Sequence, residues 1–496
     1  DEVQDLSDPM DSRSLGAPDV SGPNEQSRIS PAMPTGAKPL YDSNEDSRPV
    51  SLELINQDET LVPRVVAKMK PYIPLLNEPR NDQEFLEQTV EFAQNNLLAL
   101  YDSVSPEYRE RAKLWYVGAN KLSQQTADDY GQTIEAVAGV MSALSPGLDW
   151  YINYDLGVRT IDMWTNHQDT VFGDAEYEAL MTFAEAVKNP KGKEKHIAYA
   201  AAIRGKTLSQ LDPVEQAYFV RFYDVVNAKE RGYKIVTPEG DLSDWATNKD
   251  GSKTKAAFSD LAPIATAMRI LAQPTKEMIS VSMGKGHKRR NFYNNILAPN
   301  SDQGDVTIDT HAVAAALFLP LSQKSIEVVN NFGTPDSANV GSYGTYGVYA
   351  EAYRRAAAEV GILPREMQSI TWEAARGLFP KEWKAQKKNV DSVRAIWEDY
   401  KGGKLSLEQA RQKVYETAGN IRAAQWETER PNFGINEKDG VRANAGELSA
   451  DSVSRGGQLG SQSVSSRGIS RPTQEVEGGI LNQVDSAQLD LPFGKP

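Results

Sequence analysis

Between Val281 and Leu319 the chain carries more structural constraint than anywhere else along its length. Gly284 and Gly286 flank a single residue, a spacing that suits a tight turn because glycine adopts backbone conformations closed to other residues. Lys285, His287, Lys288, Arg289 and Arg290 form a basic cluster around that turn, in a chain whose net charge is -14. A short β-prone run, Val306-Thr307-Ile308, then delivers Asp309 to the start of an apolar helix expected over Ala312–Leu319. A turn between two helices, a basic run after it and an acid at the next helix start must all be accommodated by one fold.

The rest of the chain points to helices. Apolar residues recur at three- and four-residue steps over 82–103, through Phe85, Leu86, Val90, Ala93 and Leu97. Ser105-Pro106 is a cap-and-proline start for a second helix through Trp115 and Val117. A third runs from near Gly131 through Ile134, Val137 and Met141 to Ser145-Pro146-Gly147, and a fourth covers Tyr151–Trp164. Helical pieces at 178–188, 196–204 and 213–229 precede a β-prone turn at 233–240. Helices are expected again at 259–273, from Pro274 into Met283, over 346–360 and from Pro364, with 321–345 as a Gly/Ser/Asn loop. The expected class is all-α with minor β. Its parts are a first helical part at 82–164, an insertion at 165–258, a hairpin-bearing part at 259–380 and a peripheral helical hairpin at 385–425. Residues 1–60 and 427–496 are polar, lack apolar periodicity and read as disordered or linker segments.

Composition removes several function classes. With no cysteine and four histidines (His167, His196, His287, His311), thiolate zinc sites, Fe–S clusters and disulfides are excluded, and neither metal nor cofactor is expected. No stretch approaches the roughly 18 apolar residues of a membrane helix, so no membrane partner is expected. The chain starts at Asp1 without a signal-peptide pattern and reads as a piece processed from a longer chain. The acidic total leaves room for a local basic face, because charge distribution matters more than the sum.

Ser282-Met283-Gly284-Lys285-Gly286-His287-Lys288-Arg289-Arg290-Asn291 resembles the hairpin of the helix-hairpin-helix (Gly/Pro/Asp) DNA glycosylase superfamily, of the endonuclease III type. Val306-Thr307-Ile308-Asp309-Thr310-His311-Ala312 is similar to that family's segment with the catalytic aspartate, and Ile134–Ser145 to its first core helix. Residues 230–380 resemble glycosylase-like domains of large polyvalent proteins from phages and conjugative elements. Met283 stands where the family hairpin has proline, and Leu144 stands near its glutamine. The resemblance implies a two-lobed helix-hairpin-helix DNA glycosylase-like core that acts on double-stranded DNA. The implied setting is the bacterial host cytoplasm, or a virion that delivers the protein with DNA. The implied reaction is N-glycosidic cleavage of an extruded base, with or without lyase activity. A catalytically silent DNA-binding or virion-associated module and a base-modifying transferase are the alternatives.

Each residue then has two readings. Asp309 is either the carboxylate beside an oxocarbenium-like sugar carbon or an ordinary helix N-cap. Lys288 is either the attacking amine of a lyase or a phosphate counter-charge. Gly284, Lys285, Gly286, His287, Arg289, Arg290 and Asn291 are expected to contact DNA phosphate, or to build a plain helical turn. His311, Ser142, Ser145 and Tyr346 are supporting residues. Phe292, Tyr293, Tyr346, Tyr349, Tyr353 and Trp372 either stack an extruded base or, as helical spacing favours, fill the core. Gln488-Leu489-Asp490-Leu491-Pro492-Phe493 resembles the bacterial sliding-clamp-binding hexapeptide, with Gln488, Leu489, Leu491 and Phe493 as the clamp contacts.

Overall fold

The computed structural model describes residues 52–423, apart from 57–58, 229–230, 249, 284–285 and 333–344. The described chain is mostly helical. In order come α1 (Leu52–Asn56), α2 (Leu61–Met69), α3 (Asp82–Asp102), α4 (Pro106–Ala112), α5 (Trp115–Tyr130), α6 (Ile134–Leu144) and α7 (Trp150–Asn166). Then follow α8 (Asp174–Ala186), α9 (Pro190–Ile203), α10 (Pro213–Asn227), strands β1 (Lys234–Val236) and β2 (Leu242–Trp245), α11 (Leu261–Ala272), α12 (Lys276–Met283) and α13 (His287–Leu297). The last are α14 (Thr310–Leu317), α15 (Ile326–Phe332), α16 (Thr345–Val360), α17 (Pro364–Leu378), α18 (Lys381–Lys384), α19 (Lys387–Lys401) and α20 (Leu407–Ala418).

Side chains start many of these helices by taking up N–H groups that have no intrahelical acceptor. Asn81 accepts from Glu84, Ser105 from Tyr108 and Thr133 from Ala136. Pro106 sits at the first position of α4, where its missing N–H costs nothing. The second helix expected from the sequence breaks after Ala112 and restarts at Trp115. The segment 321–345, expected as loop, contains α15, whose Glu327, Val328, Asn330 and Asn331 are buried.

Two helices are apolar almost all round and therefore lie inside. Every residue of α6 from Ala136 to Leu144 is buried, and α5, α7, α11, α12 and α13 pack around it. Every residue of α14 from Ala312 to Leu317 is buried against α3, α15, α16 and α17. Helix α14 ends earlier than its hydrophobicity suggests. Phe318 takes a left-handed conformation (φ 52°), and Leu319 donates back to the Ala314 carbonyl at 3.0 Å, a Schellman-type stop. A bulky residue rarely adopts that conformation. Here the buried Phe318 ring packs edge-on against Trp397 and Tyr415, and its carbonyl accepts from Trp397 Nε1 at 3.1 Å. Trp397 belongs to α19, so the α19–α20 hairpin is docked on the core.

The two strands form one antiparallel pair, with Lys234 opposite Trp245 and Val236 opposite Leu242. Their turn lies against α5. A Cβ on Gly118 would run into the Pro238 carbonyl and the Gly240 amide, so this contact requires glycine. Ion pairs Arg111–Glu239 (2.7 Å) and Lys121–Asp241 (2.6 Å) flank it.

Candidate functional site

The candidate site forms where the start of α13, the end of α6 and the start of α14 converge, closed on a further side by α17 and α18. Its central residue, Asp309, is delivered by the buried segment Val306–Ile308. That run, β-prone in composition, forms no strand and has no partner strand among the described residues. Buried backbone groups must still be satisfied, and here side chains do it. Asn291 Oδ1 accepts from the Val306 amide at 3.0 Å, Tyr346 donates to the Val306 carbonyl at 2.7 Å, and the Ile308 amide donates to Tyr346 Oη at 3.0 Å. Asn295 donates to Thr307 Oγ1 at 3.1 Å and Asn331 to the Ile308 carbonyl at 3.3 Å. Asn291, expected on DNA phosphate, is therefore buried with its amide engaged in the fold; its Nδ2 also donates to the His287 carbonyl at 2.8 Å. Tyr346 is fully buried, with its hydroxyl spent on the backbone of the segment that leads to Asp309.

Asp309 is half-buried and caps α14: Oδ1 accepts from the Ala312 amide at 2.8 Å. Its Oδ2 accepts from Trp372 Nε1 at 2.9 Å. Trp372, on α17, is half-buried, unlike the fully buried rings of Tyr293, Tyr346, Tyr349 and Tyr353. Arg376, one turn on, lies over the Trp372 ring at 4.4 Å, and His311 meets that ring edge-on at 5.8 Å.

The cations around Asp309 come from three elements. Lys288 donates to the carbonyl of Ser145, the cap residue of α6, at 3.1 Å, while Ser145 Oγ donates to the Ser142 carbonyl at 3.0 Å. The supporting serines thus form the seat of Lys288. Burial lowers the Lys288 pKa; the Asp309 charge opposes that shift and Arg289 adds to it. Lys384, on α18, donates to the Leu321 carbonyl at 3.2 Å. Its pKa falls to about 8 through burial and the neighbouring Arg376, against the pull of Asp309. Arg376 pairs with Asp149, the cap of α7, and lies 3.6 Å from the buried Glu373. Burial alone would lower its pKa, but those two carboxylates carry it upward. His311 is held well below its ordinary pKa by burial and by Lys384, Arg376 and Lys288 together, so it is neutral at pH 7. Neither Lys288 nor Lys384 lies within ion-pairing distance of a carboxylate among the described residues.

The remaining basic residues of this stretch that the structure describes face inward. Arg289 donates to the Met283 carbonyl at 2.9 Å and its guanidinium lies against Gly286. Arg290 donates to the Ser280 carbonyl and Oγ, both at 3.1 Å. His287 packs its ring 5.4 Å from Tyr346, and burial followed by Arg290 pushes its pKa down to about 4, so it adds no charge at pH 7. Gly284, Lys285 and the hexapeptide residues Gln488, Leu489, Leu491 and Phe493 lie outside the described residues. A cleft of about 460 Å³ lined by Glu87, Glu91, Gln94, Arg355 and Glu359 contains none of the site residues.

Lys384, Arg376 and Asp149 were not anticipated from sequence. Each looks like an ordinary charge on a helix or at its cap, and from 67 to 160 positions of chain separate them from Asp309. The one local signal was Trp372, four residues before Arg376 and thus on the same helix face.

What the fold and site define is a helical protein with a half-buried Asp–Trp–Lys centre at the start of α13 and α14. The chain belongs to a family of unknown function, DUF7178, whose pattern matches residues 80–208 and 250–379, just over half of the chain. The matched segments carry Asp309, Lys288, Trp372, Arg376 and Asp149, whereas Lys384 lies just beyond them. No curated protein and no solved structure matches the chain.

Proposed function

We propose that this protein is a DNA-binding, base-directed enzyme that cleaves the N-glycosidic bond of an extruded base, on a two-lobed helix-hairpin-helix glycosylase-like core. The observation that carries this reading is the pairing at the centre. Half-buried Asp309 lies within electrostatic reach of Lys288, an amine from the first turn of α13 that makes no ion pair among the described residues. Asp309 stabilises the positive charge that develops on the deoxyribose as the base departs, or orients the attacking group. Trp372 and the Ala312 amide hold the carboxylate in one orientation, the preorganisation such chemistry requires. An amine of the site, Lys288 on the hairpin reading, supplies the nucleophile for any lyase step. In this reading the setting is a phage or mobile element, and the hexapeptide near the C-terminus tethers the enzyme to a sliding clamp.

The same two bonds to Asp309 also describe a structural N-cap, and they favour a second reading, a DNA-binding module without catalysis. One experiment separates the two. Host, phage and lesion-bearing duplexes are incubated with wild type and with Asp309→Asn, and released bases, abasic sites and altered nucleosides are read by mass spectrometry. Base release that falls by about 10²–10⁴-fold in the variant supports the glycosylase. Altered nucleosides without release replace it with a transferase. Intact DNA that is nevertheless bound, with affinity falling steeply as salt rises, leaves the silent module.

A further inference from the structure

We infer that Lys384, rather than Lys288, is the reactive amine of the Asp309 site, the group that condenses with an aldehyde presented there. The identity of the natural aldehyde, C1′ of a ring-opened abasic deoxyribose, rests on the base-excision reading above; the reactivity of the amine does not.

The argument lies in what each lysine sits on. Lys288 points its ammonium at the carbonyl of Ser145, at the C-terminal end of α6. A helix C-terminus carries partial negative charge and favours a cation there. Lys288 therefore has a seat that holds its proton. Lys384 closes the single-turn helix α18, too short to carry much of a dipole, and its ammonium donates to the carbonyl of Leu321, which ends no helix. It also faces Arg376, a cation fixed in its charged form by Asp149 and Glu373. A fixed guanidinium beside an ammonium disfavours the ammonium. Asp309 opposes this but makes no ion pair with Lys384, since its oxygens accept from the Ala312 amide and Trp372. The outcome agrees with that geometry: the Lys384 pKa stands at about 8. At pH 7 about a tenth of such an amine is neutral, against roughly one part in three thousand at the ordinary value. His311, uncharged and within electrostatic reach of both lysines, adds no repulsion and no competing cation.

The step balances without an outside oxidant or reductant. Lys384 gives one proton to solvent, and its lone pair forms an Nζ–C1′ bond as the carbonyl π bond opens to a carbinolamine. Loss of water, carrying the carbonyl oxygen, then leaves an imine. Hydride from added borohydride converts the imine to a secondary amine that mass spectrometry can place.

The test uses the full chain and two aldehydes. Limiting formaldehyde with cyanoborohydride at pH 7, followed by peptide mapping, ranks the lysines without any assumption about DNA. Lys384 should be labelled at least about tenfold faster than the exposed Lys188 and Lys191, and faster than Lys288. Equal labelling of all lysines, or preference for Lys288, overturns the inference. A duplex with one abasic site, trapped with borohydride, supplies the second arm. An adduct on the Lys384 peptide, lost in Lys384→Arg but kept in Lys288→Arg, supports both the inference and base excision. An adduct on Lys288 supports base excision and overturns the inference. Fast formaldehyde labelling of Lys384 with no DNA adduct upholds the amine and counts against the base-excision reading alone. Thermal melting of each variant checks that a lost adduct is not a lost fold.

Discussion

Two arginines anchor charge clusters in this protein, and the clusters are built on opposite plans. Arg159, on α7, lies 2.7 Å from Asp155 and 3.3 Å from Asp224, and it also donates to the carbonyls of Ala256 and Gly232. Every charge there has an opposite charge, and together they staple α7, α10 and the segment leading into β1. Arg376 is paired just as fully, with Asp149 and Glu373. Yet beside it Lys288 and Lys384 rest on neutral carbonyls, and Asp309 rests on two N–H donors. Charges of opposite sign within electrostatic reach have been kept from collapsing into ion pairs. A cluster selected for stability alone closes its pairs, because an uncompensated buried charge is costly. Holding them apart makes sense where the groups must meet something else.

The largest effect that sharpens this contrast is on chemistry. Asp309→Asn keeps a capable N-cap, since asparagine caps as well as aspartate, but it removes the carboxylate. Under the proposed base excision, release should drop by about 10²–10⁴-fold, equivalent to about 3–5 kcal/mol of barrier, while the melting temperature barely moves. A collapse of stability with unchanged chemistry would place Asp309 with the structural cluster instead.

Next in size is the complementary change. Arg159→Met leaves Asp155 and Asp224 facing each other inside the fold without their common counter-charge. Urea unfolding should then show a loss of about 3 kcal/mol, the low end for breaking a buried pair because Arg159 keeps some solvent contact. A loss below about 1 kcal/mol, the scale of a surface bridge, would erase the distinction between the clusters.

Trp372→Phe is smaller again. It keeps an aromatic ring under Arg376 and against His311 but removes the N–H that reaches Asp309 Oδ2. One lost hydrogen bond to a charged acceptor corresponds to about 1.5–3 kcal/mol, here the low end because both groups are half-buried, to be read as a shift in urea midpoint at constant slope. If the variant releases bases as fast as wild type, the indole does not orient the carboxylate.

What could be read from sequence followed the range over which its signals act. Asp309, Lys288 and His311 lie within one short stretch, and the apolar run after Asp309 marks the helix that it caps; elsewhere α3 is legible from its period and α4 from its Ser105-Pro106 start. Lys384, Arg376 and Asp149 left no trace, because a helix-surface charge and a charge aimed into a site have the same local pattern. Asn291 shows the reverse error: polar and next to a basic run, it suggested phosphate, whereas the structure uses it to satisfy the β-prone segment Val306–Ile308, which has no partner strand among the described residues. Helix α15 was hidden for a related reason, since Asn330 and Asn331 look like loop residues until the core gives their amides acceptors. Long-range satisfaction of polar groups, more than hydrophobic patterning, is what escaped the sequence.

The finest test uses the pH dependence of stability, where the clusters should slope in opposite directions. Burial, followed by the neighbouring Asp224, raises Asp155 to a pKa of about 6 against the pull of Arg159. The folded state thus holds its proton more tightly than the unfolded chain. Its contribution to stability is complete below the unfolded pKa near 3.8 and is lost as pH rises through 6. Lys384 is displaced the other way, to about 8 from 10.5, so the folded state sheds its proton first. Its contribution is complete above 10.5 and is lost as pH falls through 8. Subtracting the unfolding free energies of Asp155→Asn from those of wild type should therefore leave a curve that falls between about pH 4 and 6. The corresponding difference for Lys384→Met should rise between about pH 8 and 10.5. By linkage each swing is at most about 3 kcal/mol, spread over more than two pH units. Parallel slopes would mean that the two clusters respond to burial alone; opposite slopes would show one plan that ties a carboxylate into structure and another that keeps an amine ready to lose its proton.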